Sequence, residues 1–155
     1  MSLKILVATD FSPCARAAGQ YALELAARLD ATLTLLHVYR IPAYPVPDGM
    51  IYPGPEAVAT LLTESQRSLE RERAALATPR GARIDVRATE GNSWEEIVSL
   101  ARREKYELIV VGTHGRTGLA HLLLGSVAES VVRHASCPVL TVPDPSRAIA
   151  DQSAA

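Results

Sequence analysis

Five short apolar runs alternate along this chain with four stretches of helical periodicity, and that alternation leaves few architectures open. Lys4 to Thr9 is apolar, stops at Asp10 and reads as a strand buried on both faces. Thr32 to Val38 is a second such run. Ala82 to Ala88 alternates apolar and polar residues, which predicts a strand with one wet face near a sheet edge. Glu107 to Gly112 and Pro138 to Val142 supply the fourth and fifth. Between them, Ser12-Pro13 offers an N-cap hydroxyl and a first-turn proline. Ala15, Ala18, Ala22, Leu25, Ala26 and Leu29 then form one helical stripe. Glu56 to about Ala77 is a charged amphipathic helix with Val58, Leu61, Leu62, Leu69 and Leu76 inward, and its run ESQRSLERERAA reads as a solvated face. Ser93 and Glu96 fit a capping box, ahead of a stripe of Trp94, Ile97, Val98 and Ala101. Ser126 to Ala135 is the last helix, striped by Val127, Val131 and Ala135. The proline-rich stretch from Tyr39 to Pro55 is expected to be a loop.

Strands that alternate with helices build a parallel sheet covered on both faces, the α/β class. Right-handed crossovers favour a doubly wound, Rossmann-like, five-stranded sheet of order 3-2-1-4-5. Residues 1–143 are expected to form this one domain and 144–155 a flexible tail. In such a sheet the first and fourth strands are neighbours at the switch point, where ligands bind at the carboxyl ends. The residues at those two tips are Asp10 and Gly112.

Composition bounds the function. The chain has 155 residues, 48% of them hydrophobic and 21% charged, with a formal net charge of −1. That balance gives no general attraction to nucleic acid or to an anionic membrane. No apolar run approaches the roughly 18 residues of a membrane span. The opening MSLKILVATD does not read as a signal peptide, so a cytoplasmic location is expected. Cys14 and Cys137 lie far apart without a C-x-x-C signature, and reduced thiols are the expectation.

The loop after the fourth strand is glycine-rich: Gly112, Gly115 and Gly118 cluster past the strand, and Gly125 and Ser126 stand where the next helix begins. Such a loop presents unpaired amides, and with the helix dipole they favour an anion. Glycine lets ligand oxygens approach the backbone. Arg116 adds positive charge, and Ser126 either caps the helix or donates to a phosphate oxygen. Donors at both ends of the loop suit a phosphate chain; the plainer alternative is that the glycines only shape a turn. Neither G-x-x-x-x-G-K-[ST] nor a G-x-G-x-x-G after the first strand is present. Asp10 can accept from ribose hydroxyls or hold a divalent cation bridging to phosphate, or it can serve the dipole of the following helix.

Gly112-x2-Gly115-x9-Gly125-Ser126 resembles the G-2x-G-9x-G-[ST] pattern of nucleotide-binding universal stress proteins. The resemblance extends over ILVATDFS, LTLLHV, IVVGTHGRTG and LLLGSVAESVVRHASCPVLTV, nearly the whole chain. It implies a stress-response protein that binds ATP, or AMP or ADP, with Mg or Mn, and that dimerises through the last strand, Pro138 to Val142. It further implies that Ala8, Thr9 and Asp10 line an adenosine pocket and that Val38 meets adenine through its backbone. Gly112, Thr113, His114, Gly115, Arg116, Thr117 and Gly118 would wrap ribose and phosphates, with Gly125, Ser126 and Val127 at the phosphate end. Asp10 is the one candidate for a metal contact, through nucleotide-bound Mg. The segment from Ile41 to Pro55 would cover the nucleotide or stay disordered.

His37, His114, His121 and His134 have no paired carboxylate or cysteine at metal-ligand spacing. His114, within the glycine loop, is in reach of phosphate or ribose. No G-x-S-x-G elbow is present, and no residue is marked as orienting a water for phosphoryl transfer. The leading expectation is therefore an ATP-binding regulatory homodimer with an unidentified downstream partner. A slow ATPase or nucleotidyl-transfer enzyme and a dimeric interaction module with a vestigial pocket are the alternatives.

Overall fold

The computed structural model describes residues 2–76, 83–115 and 124–144. Its elements run β1 (Lys4–Ala8), α1 (Pro13–Leu29), β2 (Thr32–Tyr39), β3 (Tyr44–Val46), β4 (Gly49–Ile51), α2 (Pro55–Ala75), β5 (Ile84–Glu90), α3 (Ser93–Arg103), β6 (Leu108–Gly112), α4 (Ser126–His134) and β7 (Val139–Val142). The five-stranded sheet is wholly parallel in the order β5-β2-β1-β6-β7. Numbering only its own strands, that is the expected 3-2-1-4-5. β1 lies between β2 and β6, with Ala8 beside Leu36 and Val7 beside Val110. Among the described residues no helix is long and apolar enough to cross a membrane.

Two cores sandwich the sheet. On one face α1 and α2 bring Ala18, Ala22, Leu23, Leu69 and Leu76 against Ile5, Val7, Leu33 and Leu35. On the other, α3 and α4 bring Ile97, Val98, Ala101 and Val131 against Leu6, Leu36, Ile109 and Val111. The small stripe of α1 works as its alanines predict, because short side chains let the helix lie close to the strands. Ser12 caps α1 by accepting from the Ala15 amide at 3.2 Å. β5 alternates partly buried and exposed residues, as an edge strand with one wet face should. Trp94 stacks on His134 with ring centroids 4.7 Å apart, joining the start of α3 to the end of α4.

Several expectations require correction. Leu29 is 49% exposed because α1 ends there, and Leu23 takes its place in the core. Val127 is 38% exposed, and Ala128 occupies the buried position of α4. The helix expected to open with a Ser93–Glu96 capping box has Asn92 at its N-cap with no side-chain cap bond, so Ser93 is the first helical residue. The proline-rich stretch is not only loop. Tyr44–Val46 pairs with Gly49–Ile51 as an antiparallel hairpin, Pro45 opposite Met50. Antiparallel pairs alternate between exchanging two hydrogen bonds and none, so a proline is tolerated where its nitrogen faces away from the ladder. Both strands are exposed throughout.

Leu69 is fully buried and anchors α2. Leu69→Ala should lower stability by about 3–5 kcal/mol, as buried leucine truncations do. Urea unfolding followed by circular dichroism measures it; a loss below about 1 kcal/mol would show that α2 is not docked as described.

Candidate functional site

The first wall of the site is the turn that ends β1. Phe11 has φ 64, a left-handed conformation that disfavours a bulky residue. Four contacts hold it. The Phe11 amide donates to Thr9 Oγ1 at 3.0 Å, the Ser12 amide donates to Asp10 Oδ1 at 3.0 Å, and Arg16 Nη2 donates to the Phe11 carbonyl at 3.1 Å. The Phe11 ring packs on His37 at 4.4 Å between centroids. This turn sends Asp10 across the strand ends.

The second wall is the tip of β6. The Thr113 amide donates to the Val142 carbonyl, and Thr113 Oγ1 bonds His114 Nδ1 at 2.9 Å. The Gly125 amide donates to the Thr113 carbonyl at 2.6 Å, so the two described ends of the glycine loop meet. A Cβ on Gly115 would stand 2.7 Å from Asp10 Oδ2, and one on Gly125 would stand 3.1 Å from the Thr113 carbonyl. Neither position has room for a side chain without movement of its neighbours. Gly125 is the N-cap of α4 and supplies no side-chain bond to the first turn. Ser126 therefore does not cap the helix, which removes one of its two readings.

Between these walls lies a cavity of about 280 Å³, near the ~300 Å³ lower end of small-ligand sites. Ala8, Thr9, Asp10 and Val38 border it from β1 and β2, as do Gly112, Thr113, His114 and Gly115 from β6, and Gly125, Ser126 and Val127 from α4. Arg116, Thr117 and Gly118 lie outside the described residues, as does His121. No residue of the 41–55 segment is among those that border the cavity. Among the described residues no group of three or more metal-ligating side chains is present.

The β1–β2 ladder ends inside the cavity. The Thr9 amide donates to the Leu36 carbonyl at 2.8 Å. The Thr9 carbonyl accepts from His37 Nδ1 at 2.8 Å, which places the ring proton on Nδ1. Main-chain groups two residues apart point to the same side of a strand. The amide and carbonyl of Val38 therefore face the β1 side, beyond the point where β1 has ended.

Sequence reasoning missed two kinds of residue. Leu36, Ile97 and Val111 border the cavity yet read as core, which they also are, and Ala128, outside the expected stripe of α4, borders it too. Ser93 borders it too, although its spacing to Glu96 marked it as a cap. Glu72 is the larger surprise. It belongs to the run read as a solvated face, yet it is only 6% exposed. Its Oε1 accepts from the Thr9 hydroxyl at 2.8 Å, reaching from α2 to the base of the β1 turn. A helix three residues beyond Leu69 faces the same way, and that periodicity was the available signal. Burial raises the Glu72 carboxyl above its ordinary range. The Thr9 bond and the Arg16 charge pull it down, while the Asp10 charge pushes it further up. Cys14 and Cys137 are both free thiols, and burial raises that of Cys137.

Residues 1–143 match the model of the universal stress protein family. A universal stress protein of Methanocaldococcus jannaschii is 35% identical over 145 residues, covering 93% of this chain and 84% of that protein. The solved universal stress protein of Lactobacillus plantarum superposes with a TM-score of 0.75 at 27% identity, over 90% of this chain and 97% of that one. A universal stress protein solved in complex with cAMP gives a TM-score of 0.61 at 30% identity, over 92% of this chain and 98% of that one.

A raised acid contributes stability that is complete below the unfolded carboxyl value and is lost as pH rises through the folded one. Glu72→Gln keeps an acceptor for Thr9 without the titration. The melting temperature of the variant minus that of the parent should therefore grow as pH rises from about 4.5 toward neutrality. Scanning calorimetry across that range checks it, and a constant difference would refute a raised Glu72.

Proposed function

This chain belongs to the universal stress protein family, and from that premise we propose that it binds an adenine nucleotide, ATP foremost, in the cavity between the β1 and β6 tips. The observation that carries this reading is the approach of Gly115 to Asp10. A carboxylate and a stretch of bare backbone face each other with no side chain between them. That geometry accepts a ribose on the carboxylate and a phosphate chain on the amides. Ser126 and the uncapped first turn of α4 lie at the phosphate end, where the helix dipole favours negative charge. Val38 presents a main-chain donor and acceptor to the base. The family member solved with cAMP supports an adenine nucleotide as the ligand class.

A divalent cation that accompanies the phosphates would take its protein ligand from Asp10, with phosphate and water oxygens completing the shell. The protein would act as a regulator whose partner contacts follow its nucleotide state. Homodimerisation through β7 completes the proposal. β7 is a sheet edge with partly buried residues along its length. A groove beside it, between Tyr21 of α1 and Leu140 to Pro143, extends the apolar surface.

ATP at 100-fold its Kd should stabilise the protein by roughly 2.7 kcal/mol, read as a rise in melting temperature. Gly115→Val drives a branched side chain into Asp10 and should reduce ATP affinity at least tenfold in calorimetry while the fold survives. A parent protein that shows neither a melting shift nor calorimetric heat with ATP would sink the assignment. Tyr21→Glu places a charge beside β7, where Tyr21 is 51% exposed. It should convert a dimer to a monomer in sedimentation velocity, and a parent protein that sediments as a monomer would rule out the dimer.

A further inference from the structure

The cavity has two chemically different ends. Its β6–α4 end offers main chain and a hydroxyl at Gly115, Gly125 and Ser126, beside Val111, Val127 and Ala128. Its β2–α3 end is apolar: Leu36, Val38 and Ile97. β2 and β6 flank β1, so the ends lie about two strand spacings, ~10 Å, apart. A nucleotide lying across β1 with its phosphates on α4 therefore has its base against β2 and α3.

Ser93 is the one hydroxyl that α3 brings to that apolar end. It stands one turn before Ile97 on the same helix face, and Ile97, only 2% exposed, borders the same cavity. The N-cap role belongs to Asn92, so Ser93 is not engaged in capping. Among the described residues no group exchanges a hydrogen bond with Ser93 Oγ, whereas Thr9 and Thr113, the other hydroxyl residues at the strand tips, are both bonded. A hydroxyl among aliphatic side chains with no protein partner favours a ligand atom that can pair with it.

We propose that Ser93 is a specificity-determining residue that donates a hydrogen bond to a ring nitrogen of the bound purine. The inference rests on the reading of the cavity as an adenine-nucleotide site. The donor role follows from what adenine has left to offer. The Val38 amide and carbonyl can take one ring nitrogen and the exocyclic amine. With N1 taken there, the ring nitrogens that remain, N3 and N7, are acceptors only. A hydroxyl facing either must therefore donate.

Calorimetry of the parent protein and Ser93→Ala with ATP, 7-deaza-ATP and 3-deaza-ATP tests this. Ser93→Ala should weaken ATP binding about three- to tenfold, the worth of one neutral hydrogen bond. One deaza analogue should bind the parent weaker by a similar factor, and that analogue should no longer distinguish the parent from the variant. The proposal is overturned if Ser93→Ala binds ATP within about twofold of the parent. It is equally overturned if both proteins respond to both analogues alike. ATP binding by the parent with either of these results removes Ser93 alone; failure of the parent to bind ATP at all removes the nucleotide site and Ser93 together.

Discussion

Phe11 occupies a left-handed backbone conformation that costs on the order of 1–3 kcal/mol for a residue of its kind, and the carboxyl end of the sheet is arranged around holding it there. Without that reversal β1 would continue alongside β2. Val38 would then spend its main-chain groups on the ladder, and Asp10 would stand on one face of the sheet instead of reaching across the strand ends. The Thr9 hydroxyl is the pin. It receives the Phe11 amide on one side and donates to Glu72 on the other, while the Thr9 carbonyl is held by His37. The site is thus shaped less by its glycines than by a strand made to stop early.

Glu72 gives that pin an unusual anchor. It comes from α2, on the opposite face of the sheet from α3 and α4, and it brings a carboxyl into a region that raises its affinity for a proton. Removing one partner of such a buried bond leaves the other exposed to the full cost of desolvation. α2 is therefore tied to the end of β1 by a hydrogen bond as well as by packing. Asp10 of that turn and Arg16 of α1 act on Glu72 through their charge.

The fold was legible because its rules are periodic. Buried parallel strands read as apolar runs, α1 as a stripe of alanines, β5 as an alternation, and the strand order followed from handedness. The glycine loop and Asp10 were legible because topology puts their strands side by side, and the eleven described residues named from sequence border one cavity. What failed was local and depended on context. Ser93 and Asn92 both suit a helix start, and only the turn at Gly91 decides which is outside. Glu72 lies in a run of charges, and its spacing of three from Leu69 was the one sign that it turns inward, toward Thr9. The hairpin at Tyr44–Ile51 was hidden by prolines, whose penalty depends on which side of a ladder they face.

α4 begins at the cavity and finishes with His134 lying on Trp94. Trp94 is the chain's single tryptophan, and it sits one residue past Ser93, where α3 meets the cavity. The indole thus touches both helices that border the cavity. Any tilt of α4 against α3 would alter the overlap of the two rings, so the single indole is a native optical reporter on how these helices pack.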